Sequence, residues 1–312
     1  MKTHRILMGI LGLALLGTAF SHAFPQDKQK ESGYDISVSA VSIAVTVQDK
    51  KGRFINDLLQ EDFSVYENRE KKQITYFRHD FQTPISLTVL LDVSGSMELQ
   101  DKMKESKEAL SYLIATLLRP QDEVSLLIFA DGEVEVASAF STDKKDFLTV
   151  LEGTQAYGQT ALNDAVAVSP EFANRGNNEK RALLLITDGV ENDSYSTPEQ
   201  AVEIARRVDV PIYTIGYKIP LSEQLEKHKR APGMSSAGIV ETLGRFSRAT
   251  GGTAYFLDRV FDLNAAMREI KRELSHQYII GYTSYMDPDG VYRKIEVRTS
   301  KKKYRVRTRE GY

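Results

Sequence analysis

Ile85-Ser-Leu-Thr-Val-Leu-Leu-Asp92-Val-Ser94-Gly-Ser96-Met97 decides how the rest of the chain is read. This apolar, β-branched run is too short for a helix and ends in small polar residues, the pattern of a buried strand that stops in a loop. Asp92, Ser94 and Ser96 fall at every second position, so in extended backbone their side chains leave on one side. A carboxylate and two hydroxyls then converge at the strand's carboxyl end, with Gly95 allowing a tight turn. These hard oxygen donors suit Mg²⁺, which needs few protein carboxylates, and suit Zn²⁺ poorly.

Outward from this strand the pattern alternates. A helix is expected over 99–118, from Leu110, Leu113, Ile114 and Leu117, with Pro120 beyond it. Glu123–Phe129 reads as a buried strand and Val134–Phe140 as an antiparallel edge strand. Helices are expected near 144–152, 161–174, 198–208 and 238–249, and strands at Ala182–Thr187, Val210–Ile215 and Thr253–Phe256. The Ala182 strand ends in a second acid, Asp188, and Gly158-Gln-Thr160-Ala-Leu162 opens the 161–174 helix. Strands alternating with helices imply an α/β fold, a doubly wound, mostly parallel sheet that binds ligands beyond the carboxyl ends of its strands.

The flanks are β in character. Ile36, Val38 and Ala40 alternate, then Val41, Ile43, Val45 and Val47 alternate out of phase, which predicts a bulge or bend. Asp49-Lys-Lys-Gly52 is a turn, and Phe63–Val65 and Ile74–Tyr76 are short strands. Leu263, Met267, Ile270 and Leu274 mark a helix running almost directly into Gln277–Tyr282; Asp287-Pro-Asp-Gly290 is a turn between further strands at Tyr292–Thr299 and Lys303–Thr308. Residues 34–82 and 276–312 are each marginal alone, so they are expected to form one β-sandwich-like module into which 84–275 is inserted; two separate modules are the alternative.

Asp92-x-Ser94-x-Ser96, Thr160 and Asp188, in that order on three loops, resemble the von Willebrand factor A domain with a complete metal-ion-dependent adhesion site. The resemblance implies a Rossmann-like fold over roughly 84–275 and metal ligation by Asp92, Ser94, Ser96, Thr160 and Asp188. The serines and threonine would touch the metal, and the aspartates would act mostly through water. Mg²⁺ is the cation implied, with Mn²⁺ and Ca²⁺ as alternatives. More widely, Val47-x-Asp49-x-x-Gly52-Arg53-Phe54, Tyr278-Ile-Ile-Gly281-Tyr282 and the ending Arg309-Glu-Gly311-Tyr312 resemble the exported von Willebrand factor A related proteins of Acidobacteria. That likeness implies an exported setting and no particular partner.

Lys2, His4 and Arg5 precede the 15-residue apolar run Ile6–Phe20, followed by Ser21-His22-Ala23. This reads as a secretory signal peptide over 1–23, a retained anchor being the alternative, with a flexible start over 24–33. The protein is thus expected to be periplasmic or secreted, with no transmembrane segment after cleavage. The chain contains no cysteine, hence no disulfide and no thiol chemistry. Its formal charge of −2 becomes −4 once Lys2 and Arg5 leave, which does not suggest a nucleic-acid binder. Nine Lys or Arg against Glu296 and Glu310 in 291–312 read as a solvated strand face with edge lysines in preference to a patch for anions.

The function expected is non-enzymatic binding, as adhesion or scaffold, of a partner protein's Asp or Glu carboxylate. Residues 218–237 read as a long polar insert, expected to emerge on the metal face and to shape partner choice, a dispensable disordered loop being the alternative. Glu223 and Arg230 within it, with Tyr157, Glu191 and Asp193, are the candidate partner contacts. A metal-dependent phosphoester hydrolase is the competing class, disfavoured by only three scattered histidines after the leader (His79, His228, His276) and no Gly-x-Ser-x-Gly elbow. A structural domain with a stapling metal is the third.

Overall fold

Strand β5 (Ile85–Asp92) is buried at every position because it lies inside a six-stranded sheet, between β8 (Lys180–Thr187) and β6 (Glu123–Ala130), parallel to both. The computed structural model describes residues 37–79, 82–220, 235–286, 291–301 and 303–312. The expected leader, flexible start, 287–290 turn and most of the 218–237 insert, with Glu223 and Arg230, lie outside them. The sheet continues beyond β8 with β9 (Ile212–Tyr217) and β10 (Ala254–Leu257), and ends beyond β6 with β7 (Glu133–Ser141), its only antiparallel strand among the described residues.

Burial on both faces explains why β5 is a continuous apolar run instead of an alternating one. Ile85, Leu87, Val89 and Leu91 pack with helix α1 (Lys102–Tyr112) and with the last helix, α6 (Val260–Ser275), through Leu110, Met267 and Ile270. Leu90 faces the other layer, where α3 (Leu162–Ala173) and α5 (Ser236–Thr250) contribute Leu162, Val166, Ile239 and Phe246. Helices α2 (Lys144–Gly153) and α4 (Pro198–Ala205) complete the two layers. Ser86 and Thr88 also lie within this strand, and their hydroxyls meet Glu123 at 2.6 Å and Ser125 at 2.9 Å.

Two expectations are corrected. The 99–118 helix is three pieces: a 3₁₀ segment over Gly95–Asp101, then α1, then a wider π turn over Leu113–Leu117. Gln100 and Asp101 have φ of 57° and 58°, a left-handed break that an apolar period does not report. Nor does the phase slip at Ala40/Val41 produce a bulge. Strand β1 (Ser37–Gln48) pairs with β11 (Tyr278–Met286) in unbroken register across Ala40 and Val41. The irregularity sits instead at Gly281/Tyr282, where β11 meets β4 (Ile74–Arg78).

β1 and β11 belong to a four-stranded sheet with β4 and β13 (Arg305–Arg307), opposite a three-stranded sheet of β2 (Phe63–Glu67), β3 (Glu70–Lys72) and β12 (Ile295–Thr299). Their shared core includes Ile43, Val45, Phe63, Val65, Tyr278, Ile280, Ile295 and Val297. The α/β sheet is therefore inserted in a β-sandwich-like module made from both ends of the described chain. Glu273 of α6 joins the two: its carboxylate accepts from Tyr213 of β9 at 2.6 Å and ion-pairs with Arg307 of β13.

Candidate metal centre

Asp92 ends β5 with its side chain fully buried. Thr187 Oγ1 donates to its Oδ2 at 2.6 Å and the Ser94 N–H to its Oδ1 at 2.9 Å, so the first metal loop folds back on the carboxylate that opens it. The Ser94 and Ser96 hydroxyl oxygens lie 3.2 Å apart. Asp188, also fully buried, follows β8 and accepts the Val190 N–H at 3.1 Å. Burial, and secondly the negative charge of Asp188, push the Asp92 carboxyl up to about 7 despite the hydrogen bonds from Thr187 and Ser94.

The loop carrying Thr160 is tied by hydrogen bonds to the first metal loop and to the loop after Asp188. The Gly95 N–H donates to Gly158 O at 3.0 Å, seating the 157–160 loop on the first metal loop. The Thr160 N–H donates to Asn192 Oδ1 at 2.8 Å, and its carbonyl accepts from the Asn192 and Asp193 N–H groups at 3.1 Å each. Gly158 is required here: its φ is +69°, and a Cβ would lie 2.3 Å from the Asp131 carboxylate. That carboxylate accepts the Gln159 N–H at 2.6 Å.

Sequence reasoning missed Lys102. Its side chain is 3% exposed, and its ammonium donates to Asp188 Oδ2 at 2.6 Å and to Ser96 O at 3.3 Å. In Lys102-Met-Lys-Glu-Ser-Lys-Glu it looks like one solvated helix residue among several. The available signal was a cation at the first position of a helix, where the macrodipole disfavours it unless an acid lies opposite.

The residues fit a hard divalent cation on the chemistry of their donors. The two carboxylates and the Ser94 and Ser96 hydroxyls supply only oxygen, and the Lys102 ammonium already stands against Asp188 as a positive charge. Among the described residues no group of three or more His, Cys, Asp or Glu side chains is assembled. His79 stacks on Tyr278 and His276 on Phe54, both in the β module.

The remaining candidates differ in position. Tyr157 is 48% exposed beside the site, its N–H bonded to Val93 O at 2.7 Å. Partial burial, then the charges of Glu135, Asp131 and Glu133, push its hydroxyl up. The Glu191 carboxylate accepts the N–H groups of Asp193 at 3.0 Å, Ser194 at 2.9 Å and Asn163 at 3.0 Å, pinning its own loop to the start of α3. Asp193 is half-buried in that loop, and the neighbouring Tyr195 is 98% exposed.

Residues 87–191, which include all five expected metal-site positions, match the family model described as von Willebrand factor type A domain. An uncharacterized protein of Borreliella burgdorferi is 22% identical over 200 residues, 60% of this chain and 58% of its own length. Inter-alpha-trypsin inhibitor heavy chain H4 of Homo sapiens is 29% identical over 133 residues, 36% of this chain and 14% of its own. The chain thus matches little more than half of one relative and a small part of the other. The pilus adhesin SpaC of Lactobacillus rhamnosus GG, in its open conformation, shares the fold with a TM-score of 0.51 at 10% identity, over 80% of this chain and 47% of that one.

Proposed function

We propose that this chain, which carries a von Willebrand factor type A domain, is an exported protein-binding module of adhesion or scaffold type. In this reading it captures a partner's Asp or Glu carboxylate at a Mg²⁺ site formed by Asp92, Ser94, Ser96, Thr160 and Asp188. The observation that carries it is the meeting, at the carboxyl ends of β5 and β8, of two buried carboxylates with a hydroxyl pair 3.2 Å apart. Burial and the neighbouring Asp188 charge raise the Asp92 carboxyl, and a carboxyl perturbed in this way marks a candidate functional site. When bound, Mg²⁺ would supply a Lewis-acidic position open to a carboxylate oxygen.

The chain's own groups have distinct tasks. Ser94, Ser96 and Thr160 offer neutral oxygens, leaving the cation electron-poor, while Asp92 and Asp188 supply the charge that retains it. Thr187 and Ser94 orient Asp92, and Val190 and Lys102 orient Asp188. Asn192 and Gly158 fix the Thr160 loop. Tyr157, exposed alongside, offers a contact for the partner's surface.

The test is calorimetric titration of Mg²⁺ and Mn²⁺ into metal-stripped chain and into Asp92→Ala, followed by capture of carboxylate-bearing partners with and without chelator. Saturable binding lost in Asp92→Ala, with capture that needs the metal, is expected. Absence of metal binding in both proteins, without and with saturating acetate, would overturn the proposal.

A further inference from the structure

We propose that Lys102 is a built-in counter-charge that makes metal binding depend on an incoming carboxylate. This rests on the metal-site reading above. The geometry is specific: an ammonium from the first position of α1, almost entirely out of water, contacts an oxygen of Asp188 and the carbonyl of Ser96. It therefore touches both strand-end loops that carry the expected metal-site residues.

The charge count decides the consequence. Once a cation is held, the Asp92 and Asp188 carboxylates set two negative charges, and the Lys102 ammonium one positive charge, around it in a region with almost no solvent exposure. A divalent cation added to this set leaves one positive charge in surplus. Uncompensated charge is costly in such an environment, so metal alone binds weakly. A carboxylate arriving at the metal cancels the surplus. Because linkage is reciprocal, the carboxylate then tightens the metal and the metal tightens the carboxylate by the same factor. Without Lys102 the two aspartates and the metal already balance, and the incentive to recruit an anion disappears. Lys102 in this account selects anionic over neutral ligands and keeps the site weakly loaded until a partner is present.

The experiment is calorimetric titration of Mg²⁺ into the full chain, without and with saturating acetate as the probe carboxylate. It is run on wild type, Lys102→Met, Lys102→Arg and Asp92→Ala. Acetate should tighten Mg²⁺ binding to wild type and Lys102→Arg by about tenfold, a usual size for coupling between sites. Lys102→Met should bind Mg²⁺ about tenfold more tightly than wild type without acetate and respond to acetate by less than about twofold. If Lys102→Met is too unstable for calorimetry, Lys102→Gln and the Mg²⁺-induced rise in Tm replace it, the variant being expected to show the larger rise. Equal or weaker Mg²⁺ binding by the uncharged variants, with the acetate response of wild type, overturns the role of Lys102 and leaves the metal site standing. No Mg²⁺ binding by wild type, with or without acetate, overturns both.

Discussion

The two buried acids should respond oppositely to neutralisation when no metal is present. In Asp188→Asn the Lys102 ammonium, 3% exposed, loses its carboxylate partner at 2.6 Å and keeps the Ser96 carbonyl. Breaking a buried ion pair from one side costs about 3–5 kcal/mol. For a chain of this size each kcal/mol moves Tm by about 2–4 °C, so a fall of roughly 6–20 °C is expected. Asp92→Asn removes instead a carboxylate whose ionisation is penalised by burial and by Asp188. It disturbs one hydrogen bond, from Thr187, at a cost of about 1 kcal/mol. At pH 8 in chelator, where Asp92 is mostly ionised, its Tm should equal or exceed that of wild type. Thermal unfolding by circular dichroism reads both variants, and both should lose any Mg²⁺-dependent rise. Equal destabilisation by the two substitutions, or a larger loss in Asp92→Asn, would refute the assignment of Lys102 to Asp188.

The same carboxyl gives a pH dependence with a definite sign. Between its ordinary value of 3.8 and about 7 the folded chain keeps a proton on Asp92 that the unfolded chain has released, so metal-free stability falls as pH rises through that window. Urea midpoints of wild type relative to Asp92→Asn at pH 5 and pH 8 check this, and Mg²⁺ should abolish the difference in slope. Asp122 has the opposite sign: burial raises it, but Arg119 and Lys271 outweigh that and hold it down to about 2. Its contribution, about 2 kcal/mol, is present above its ordinary value of 3.8 and lost as pH falls toward about 2, and Asp122→Asn should flatten the acid limb of an unfolding profile. Gly158→Ala should keep the fold but weaken Mg²⁺ binding by about 10-fold to 100-fold in calorimetry, because the new Cβ displaces the loop carrying Thr160. Glu67 accepts hydrogen bonds from Tyr282, Ser284 and Tyr312 at 3.0, 2.8 and 2.7 Å. Glu67→Gln should cost about 2–4 kcal/mol, with the tyrosine near-ultraviolet circular dichroism of the β module altered.

What could be read from the chain follows from which signals are local. β5 was legible because burial on both faces forces an unbroken apolar run, and α6 because Leu263, Met267, Ile270 and Leu274 repeat at a helical period. The edge position of β7 showed in its alternation. β3 was not legible: Glu70–Lys72 is wholly polar and exists because Val65, Tyr66 and Glu67 of β2 offer it a ladder. β12 begins later than its alternation suggests, since Lys294 forms only an isolated bridge to Gly311. At the site, Asp92, Ser94 and Ser96 were legible because their spacing is local, and Asp188 because it ends a second apolar strand. Lys102 was hidden because its partner is 86 positions away. Glu191 was visible as an acid, but its engagement by three backbone N–H groups depends on a loop conformation that spacing does not encode.

The pairing of β1 with β11 joins residues roughly 230 positions apart, from Val45↔Tyr278 outward. During synthesis β1 emerges early, with Val41, Ile43, Val45 and Val47 in a row and its ladder partner not yet made. Closing a loop of that length in an unstructured chain costs about 3 kcal/mol more than closing a ten-residue hairpin. Once the inserted sheet has formed, its own first strand and last helix hold the two ends of that loop, and most of this penalty is already met. Loop-closure entropy therefore favours an order in which the inserted sheet forms before the sandwich closes, and until then the apolar face of β1 is open to aggregation or to a protease.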